Sequence, residues 1–177
     1  PVGITVEGAN ILTRTMIIFG QGAIRGHPYV LQEINAAHLA DKKQGLIIFD
    51  HALVGHVIFS IRNIYRSLWL GIAGKYLKNH PDNALADTIP YYQQVTRFSA
   101  AFALLTDIAM VTLGGSLKRR ERLSARLGDI LSMLYLCSAT LKKFENDGQP
   151  AADLPLLHWS IQDALYRTQQ AFDEFLS

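Results

Sequence analysis

Cysteine is nearly missing: Cys137 is the only one in 177 residues. That excludes an internal disulfide framework and fits a reducing compartment. Charge is scarce too. Only 18% of residues are Asp, Glu, Lys or Arg, and the formal net charge is +2. A nucleic-acid binder carries a dense basic face with exposed aromatics, so nucleic acid is excluded as a partner. No signal peptide is expected in this start, because Pro1-Val2-Gly3-Ile4-Thr5 has neither a basic n-region nor an apolar h-region. Long unbroken apolar runs are lacking as well. Residues 46–61 and 98–115 come nearest, but the first holds Asp50, His51 and His56 and the second holds Asp107. Neither offers the roughly 20 uninterrupted apolar residues a span needs. Both are expected to be buried core helices, and the chain to have no transmembrane segment. With no initiator Met, the chain is expected to begin inside a longer protein.

What is present is hydrophobic and helical. Hydrophobic residues make up 49% of the chain, enough for one substantial core and too many for disorder. Asn10 reads as an N-cap and Pro28 as a helix opener. From Leu46 to Leu77 the pattern is apolar on most sides, through Phe49, Leu53, Val57, Ile61, Ile64, Leu68 and Ile72. A helix of that kind is expected at the centre of a fold. A further helix from about Tyr91 to Leu113 puts Val95, Phe98, Phe102, Leu105, Ala109 and Thr112 on one stripe. Gly114-Gly115 ends it, and Ser116 is expected to cap the next helix.

That next helix is the plainest segment. Leu123, Leu127, Ile130, Leu134, Cys137, Leu141 and Phe144 alternate steps of four and three, a sustained seam facing other helices. Asn146-Asp147-Gly148-Gln149-Pro150 stops it. A last helix carries Leu157, Ile161, Leu165, Thr168, Phe172 and Phe175. The class is all-α, a helical bundle of about five to six long, mostly antiparallel helices.

One stretch imitates another class. Met16-Ile17-Ile18-Phe19-Gly20-Gln21-Gly22-Ala23-Ile24-Arg25-Gly26 looks like a strand and a phosphate turn, and Gly45-Leu46-Ile47-Ile48-Phe49-Asp50 like a second strand ending in an acid. The third glycine is misplaced, since the motif wants it where Arg25 stands. No further βα units occur downstream, so glycines permitting close helix packing are the better reading.

Chemistry points instead to Thr5-Val6-Glu7-Gly8-Ala9-Asn10-Ile11-Leu12-Thr13-Arg14. Ile4, Val6 and Ile11 can desolvate the Glu7 carboxylate and raise its pKa. Gly8 lets a ligand or backbone come close. Such a carboxylate suits general-base work on a weakly acidic C–H; the alternative is a surface Glu favoured by a helix N-terminus.

This stretch resembles the catalytic Glu-Gly loop of the acyl-CoA dehydrogenase family, in which an aromatic-Glu-Gly-Thr sequence leads into a helix with an Arg seven residues after the Glu. Glu7, Gly8 and Arg14 match. The runs Gly3 to Arg14, Ile17 to Arg25 and Gly115-Ser116-Leu117-Lys118-Arg119-Arg120-Glu121-Arg122-Leu123-Ser124 resemble the large bacterial medium- and long-chain branch of fatty-acid β-oxidation. The resemblance covers essentially the whole chain.

It implies an FAD-dependent enzyme that oxidises fatty acyl-CoA to trans-2-enoyl-CoA. Glu7 would remove the α-proton while the β-hydrogen leaves as hydride to the flavin. The Glu7 N–H would help hold the thioester oxygen, which acidifies the α-carbon as an oxyanion hole does. Gly8 would contact substrate, electrons would pass to an electron-transfer flavoprotein, and the protein would be a homo-oligomer. Location is expected to be cytoplasmic, with inner-membrane association only through an upstream region.

Two positions depart from the family. Val6 replaces the aromatic and Ala9 replaces the Thr, so neither flavin contact carries over, and no cofactor-binding residue is assigned. The family's N-terminal helical and central β-barrel domains lie outside these residues, so the fragment alone is expected to be inactive. Residues 1–80 correspond to the family's C-terminal helical segment, and 81–177 to an extension of the large branch packed on the same bundle.

Four further features have plainer readings. Lys118, Arg119, Arg120, Arg122 and Arg126 form either an anion site or a solvated face paired with Glu121 and Asp129. His51 and His56 are five apart, so they cannot form an i, i+4 metal pair; with Asp50 they are expected to be buried and hydrogen-bonded. Asp107 is expected to meet a cation from a neighbouring helix, Arg62 or Arg66. Cys137 reads as a small core residue.

Overall fold

The computed structural model describes residues 27–73 and 80–177, together with Gly8, Gly22, Arg25 and Lys78. Five α-helices account for most of these residues: α1 (Val30–Ala37), α2 (Lys42–Ala73), α3 (Ile89–Leu113), α4 (Glu121–Asn146) and α5 (Leu154–Leu176). Short 3-10 turns, Ala86–Thr88, Gly114–Arg119 and Ala151–Asp153, precede the last three. No strand occurs among the described residues. The all-α bundle expected from the sequence is the observed fold.

Local chemistry sets the ends. The Asp41 carboxylate accepts the N–H groups of Lys43 and Gln44 at 2.9 and 3.2 Å, starting α2. Pro90 occupies the first turn of α3, where its missing N–H costs nothing. Ser116 does not cap α4. It lies inside the 3-10 turn and donates to the Leu113 carbonyl at 2.5 Å, while Ser124 donates back to Leu117 at 2.8 Å. Gly148 and Gln149 take positive φ, 82° and 58°, and turn the chain into α5. From there the Gln149 amide reaches across, accepting from the Leu85 N–H at 3.0 Å and donating to the Asn83 carbonyl at 2.8 Å.

The core lies between α3, α4 and α5. The α4 seam is buried as its spacing predicts: Leu127, Ile130, Leu134, Cys137, Leu141 and Phe144 all face inward, with Leu123 partly covered. Leu157, Ile161, Leu165 and Thr168 of α5 meet it. Leu105 and Ala109 of α3 join, and Phe98 stacks on Phe172 with ring centroids 5.8 Å apart. Each fully buried side chain of this size contributes about 1.5–3 kcal/mol. Thr112, expected on the α3 stripe, is exposed and donates to its own helix at Ile108, 2.7 Å away.

Helix α2 corrects the sequence reading. Its apolar stripe faces outward: Leu53 is 42% exposed, Val57 50%, Ile61 60%, Leu68 62% and Ile72 82%. The inward stripe is Gly45, Phe49, Ala52, His56, Phe59-Ser60, Asn63, Ser67 and Leu70. Small residues win that face because they let neighbours approach. A Cβ on Gly45 would stand 2.7 Å from the Ala36 carbonyl oxygen, and one on Gly55 would strike the Tyr29 ring. Both α2 and the stretch Ala86–Leu113 are long and apolar enough to cross a membrane by length and composition alone.

Candidate functional site

Glu7, the expected base, lies outside the described residues, as does Arg14. Gly8 is described: it is helical and exposed, and a Cβ there would meet nothing within 4 Å. No described residue is assigned a flavin contact. Of the imitation βαβ unit, the second supposed strand, Gly45 to Asp50, is continuous α-helix, which removes that reading.

The described residues assemble a different polar site, where α1, α2 and α3 meet. It begins at His27, whose Nδ1 accepts the N–H groups of Tyr29 and Val30, 3.2 Å each, at the start of α1. Within α1, Glu33 Oε1 accepts from His56 Nδ1 of α2 at 2.8 Å. One and two turns along the same face of α2 stand Ser60 and Asn63. Asn63 donates to Asp107 Oδ2 at 3.1 Å, and Ser60 lies at 3.5 Å from the same oxygen. Asp107 comes from α3 and is 5% exposed. His27 Nε2 points at Asp107 Oδ1 from 3.6 Å, too far for a hydrogen bond. Aromatic rings close the site: His27 and His56 have centroids 4.5 Å apart, Tyr29 stacks on His56, and Phe59 meets His27 edge-on at 5.3 Å.

Burial sets the electrostatics. Desolvation holds the His27 pKa below the ordinary imidazole range, and nearby His56 pushes it the same way; the carboxylates of Asp107 and Glu33 oppose this.

Asp107 does not meet Arg62 or Arg66. Arg62 lies over the Phe59 ring, 5.8 Å from its centroid, and both arginines are exposed. Short neutral donors on the inward stripe of α2 take the place expected for a long cation. Asp50 and His51 are exposed rather than buried, while His56 is covered and hydrogen-bonded as expected. Sequence reasoning did not single out His27. The available signal was the recurrence of His56, Ser60 and Asn63 at helical spacing inside an apolar helix, opposite a lone Asp107.

The basic cluster is a partly paired surface. Arg119, Arg120 and Arg122 are exposed. Arg126 bridges Asp129 at 3.0 Å and Glu174 of α5 at 2.5 Å, joining two helices. A second polar group ties α3 to α5: Tyr91 Oη sits 2.7 Å from His158 Nδ1 and accepts from Gln162 at 3.1 Å. A cleft of about 370 Å³ between α2 and α3 is lined by Leu70, Gly71, Ile72, Pro90, Gln93 and Arg97.

Residues 24–177 match the model of the acyl-CoA dehydrogenase C-terminal domain, bacterial type. The chain belongs to that family. No solved structure matches it.

Proposed function

We propose that the chain is the C-terminal portion of an FAD-dependent acyl-CoA dehydrogenase that converts fatty acyl-CoA to trans-2-enoyl-CoA. The family match over residues 24–177 carries this reading. It is supported by the spacing of Glu7, Gly8 and Arg14 just upstream. Glu7 is the base that takes the α-proton, and its own N–H helps hold the thioester oxygen. Gly8 admits the acyl-CoA. FAD, bound mostly by domains outside this chain, supplies the hydride acceptor. The electron acceptor is an electron-transfer flavoprotein, the assembly is homo-oligomeric, and the location is cytoplasmic. Residues 1–80 form the segment that carries the catalytic loop, and 81–177 an extension packed on it. The fragment alone is inactive.

The decisive experiment is Glu7→Gln in the natural-length protein. Flavin content stays at the wild-type level and acyl-CoA-dependent dye reduction falls at least ~10²-fold, the lower end for loss of a general base. Turnover surviving at the wild-type rate overturns the assignment.

A second reading has one observation in its favour. The outward apolar face of α2, with Ile61 60% and Ile72 82% exposed, suits a helical module for interaction or oligomerisation in which Glu7 is incidental. Under that reading Glu7→Gln is silent and polar substitutions on α2 alter assembly.

A further inference from the structure

We propose that His27, His56 and Asp107 form a binding site for a divalent transition-metal ion of the zinc type, joining α2 and α3 to the segment that enters α1. Their ligating atoms all lie within 4.8 Å of one another. His27 Nε2 is buried without a hydrogen-bond partner, and orphaned buried nitrogens of this kind call for an explanation. Its 3.6 Å separation from Asp107 Oδ1 is too long for a hydrogen bond. It is close to the edge of a coordination tetrahedron, where ligands about 2.0–2.1 Å from zinc stand roughly 3.3 Å apart.

The surrounding contacts orient each ligand. Glu33 holds Nδ1 of His56 at 2.8 Å, which leaves Nε2 for the ion in the carboxylate–histidine–metal arrangement. Asn63 and Ser60 hold Asp107 by Oδ2, which leaves Oδ1. Nδ1 of His27 accepts two backbone N–H groups, 3.2 Å each, so in the empty site the ring proton sits on Nε2. An ion on Nε2 takes the other neutral tautomer, with that proton moved to Nδ1 at the cost of those two contacts. Two imidazoles and one carboxylate favour Zn²⁺, Co²⁺ or Ni²⁺ over Mg²⁺ and Ca²⁺. Ion binding at these three side chains is independent of any dehydrogenase turnover.

The test uses the natural-length protein, free of any affinity tag and stripped with a chelator. It is titrated with Co²⁺ and with Zn²⁺, following cobalt d–d absorption and metal content by mass spectrometry. One ion per chain is expected, with a rise in melting temperature on loading. His56→Gln should remove the cobalt spectrum. Glu33→Gln, which keeps the buried shape, should weaken binding about 10–100-fold. The exposed His51→Gln should change nothing. Two results overturn the proposal: less than one ion per chain at tens of micromolar metal, or equal losses from His51→Gln and His56→Gln. Either would make the group a hydrogen-bonded cluster only.

Discussion

Raising the pH should destabilise this protein through one buried thiol. Cys137 lies in the α4 seam, 1% exposed, and burial pushes its pKa from the ordinary 9.0 up to about 11. In the unfolded chain the thiol ionises near its ordinary value; in the fold it stays protonated. Between those two values the unfolded state binds fewer protons, so stability is lost as pH rises. The loss is about 1.4 kcal/mol at pH 10 and about 1.9 kcal/mol at pH 10.5. Tyr92 adds to the same slope, because burial and then Glu145 raise its phenol. Wild type is therefore compared with Cys137→Ala, which shares Tyr92 but has no thiol. Urea unfolding under reductant at pH 7.5 and 10.5 reads the difference. Cys137→Ala starts weaker because it loses core volume, but it should lose about 2 kcal/mol less than wild type across that interval. Parallel pH profiles for the two proteins would refute the reasoning.

Further outcomes are expected from single substitutions, each read by thermal or denaturant unfolding. Gly45→Ala should destabilise by about 1–3 kcal/mol, since its Cβ would meet the backbone oxygen of Ala36 at 2.7 Å. Gly71→Ala, with nothing within 4 Å, should stabilise by about 0.5–1 kcal/mol through helix propensity; a loss there would show that the α2 end is not free. Ile130→Ala, at 0% exposure, should cost about 2–5 kcal/mol. Ile61→Ala, 60% exposed on α2, should stay within about 0.5 kcal/mol in the isolated chain.

The α4 seam was legible because its apolar positions keep steps of four and three from Leu123 to Phe144, with Arg122, Arg126, Asp129, Lys142 and Lys143 falling off that seam. Spacing alone therefore named Leu127, Ile130, Leu134, Cys137, Leu141 and Phe144. Helix α2 was not, because it is apolar nearly all round and hydropathy cannot choose between its faces. The choice fell to Gly45, Ala52 and Asn63, which admit α1 and meet Asp107, and left Leu53, Val57 and Ile61 outside. His27 was illegible for a related reason: its partners Glu33, His56 and Asp107 are distant in sequence and converge only when three helices pack. Glu7 came into view through resemblance rather than periodicity, and it lies outside the described residues.

The reversed sidedness of α2 has a thermal consequence. His56, Ser60 and Asn63 are engaged within the bundle, so the outward stripe of Leu53, Val57, Ile61, Leu68 and Ile72 itself offers no side-chain hydrogen bonds to whatever rests on it. Such an association would draw its strength almost wholly from shedding water, a drive that fades as temperature falls. Any complex formed through that surface should weaken on cooling and tighten on warming.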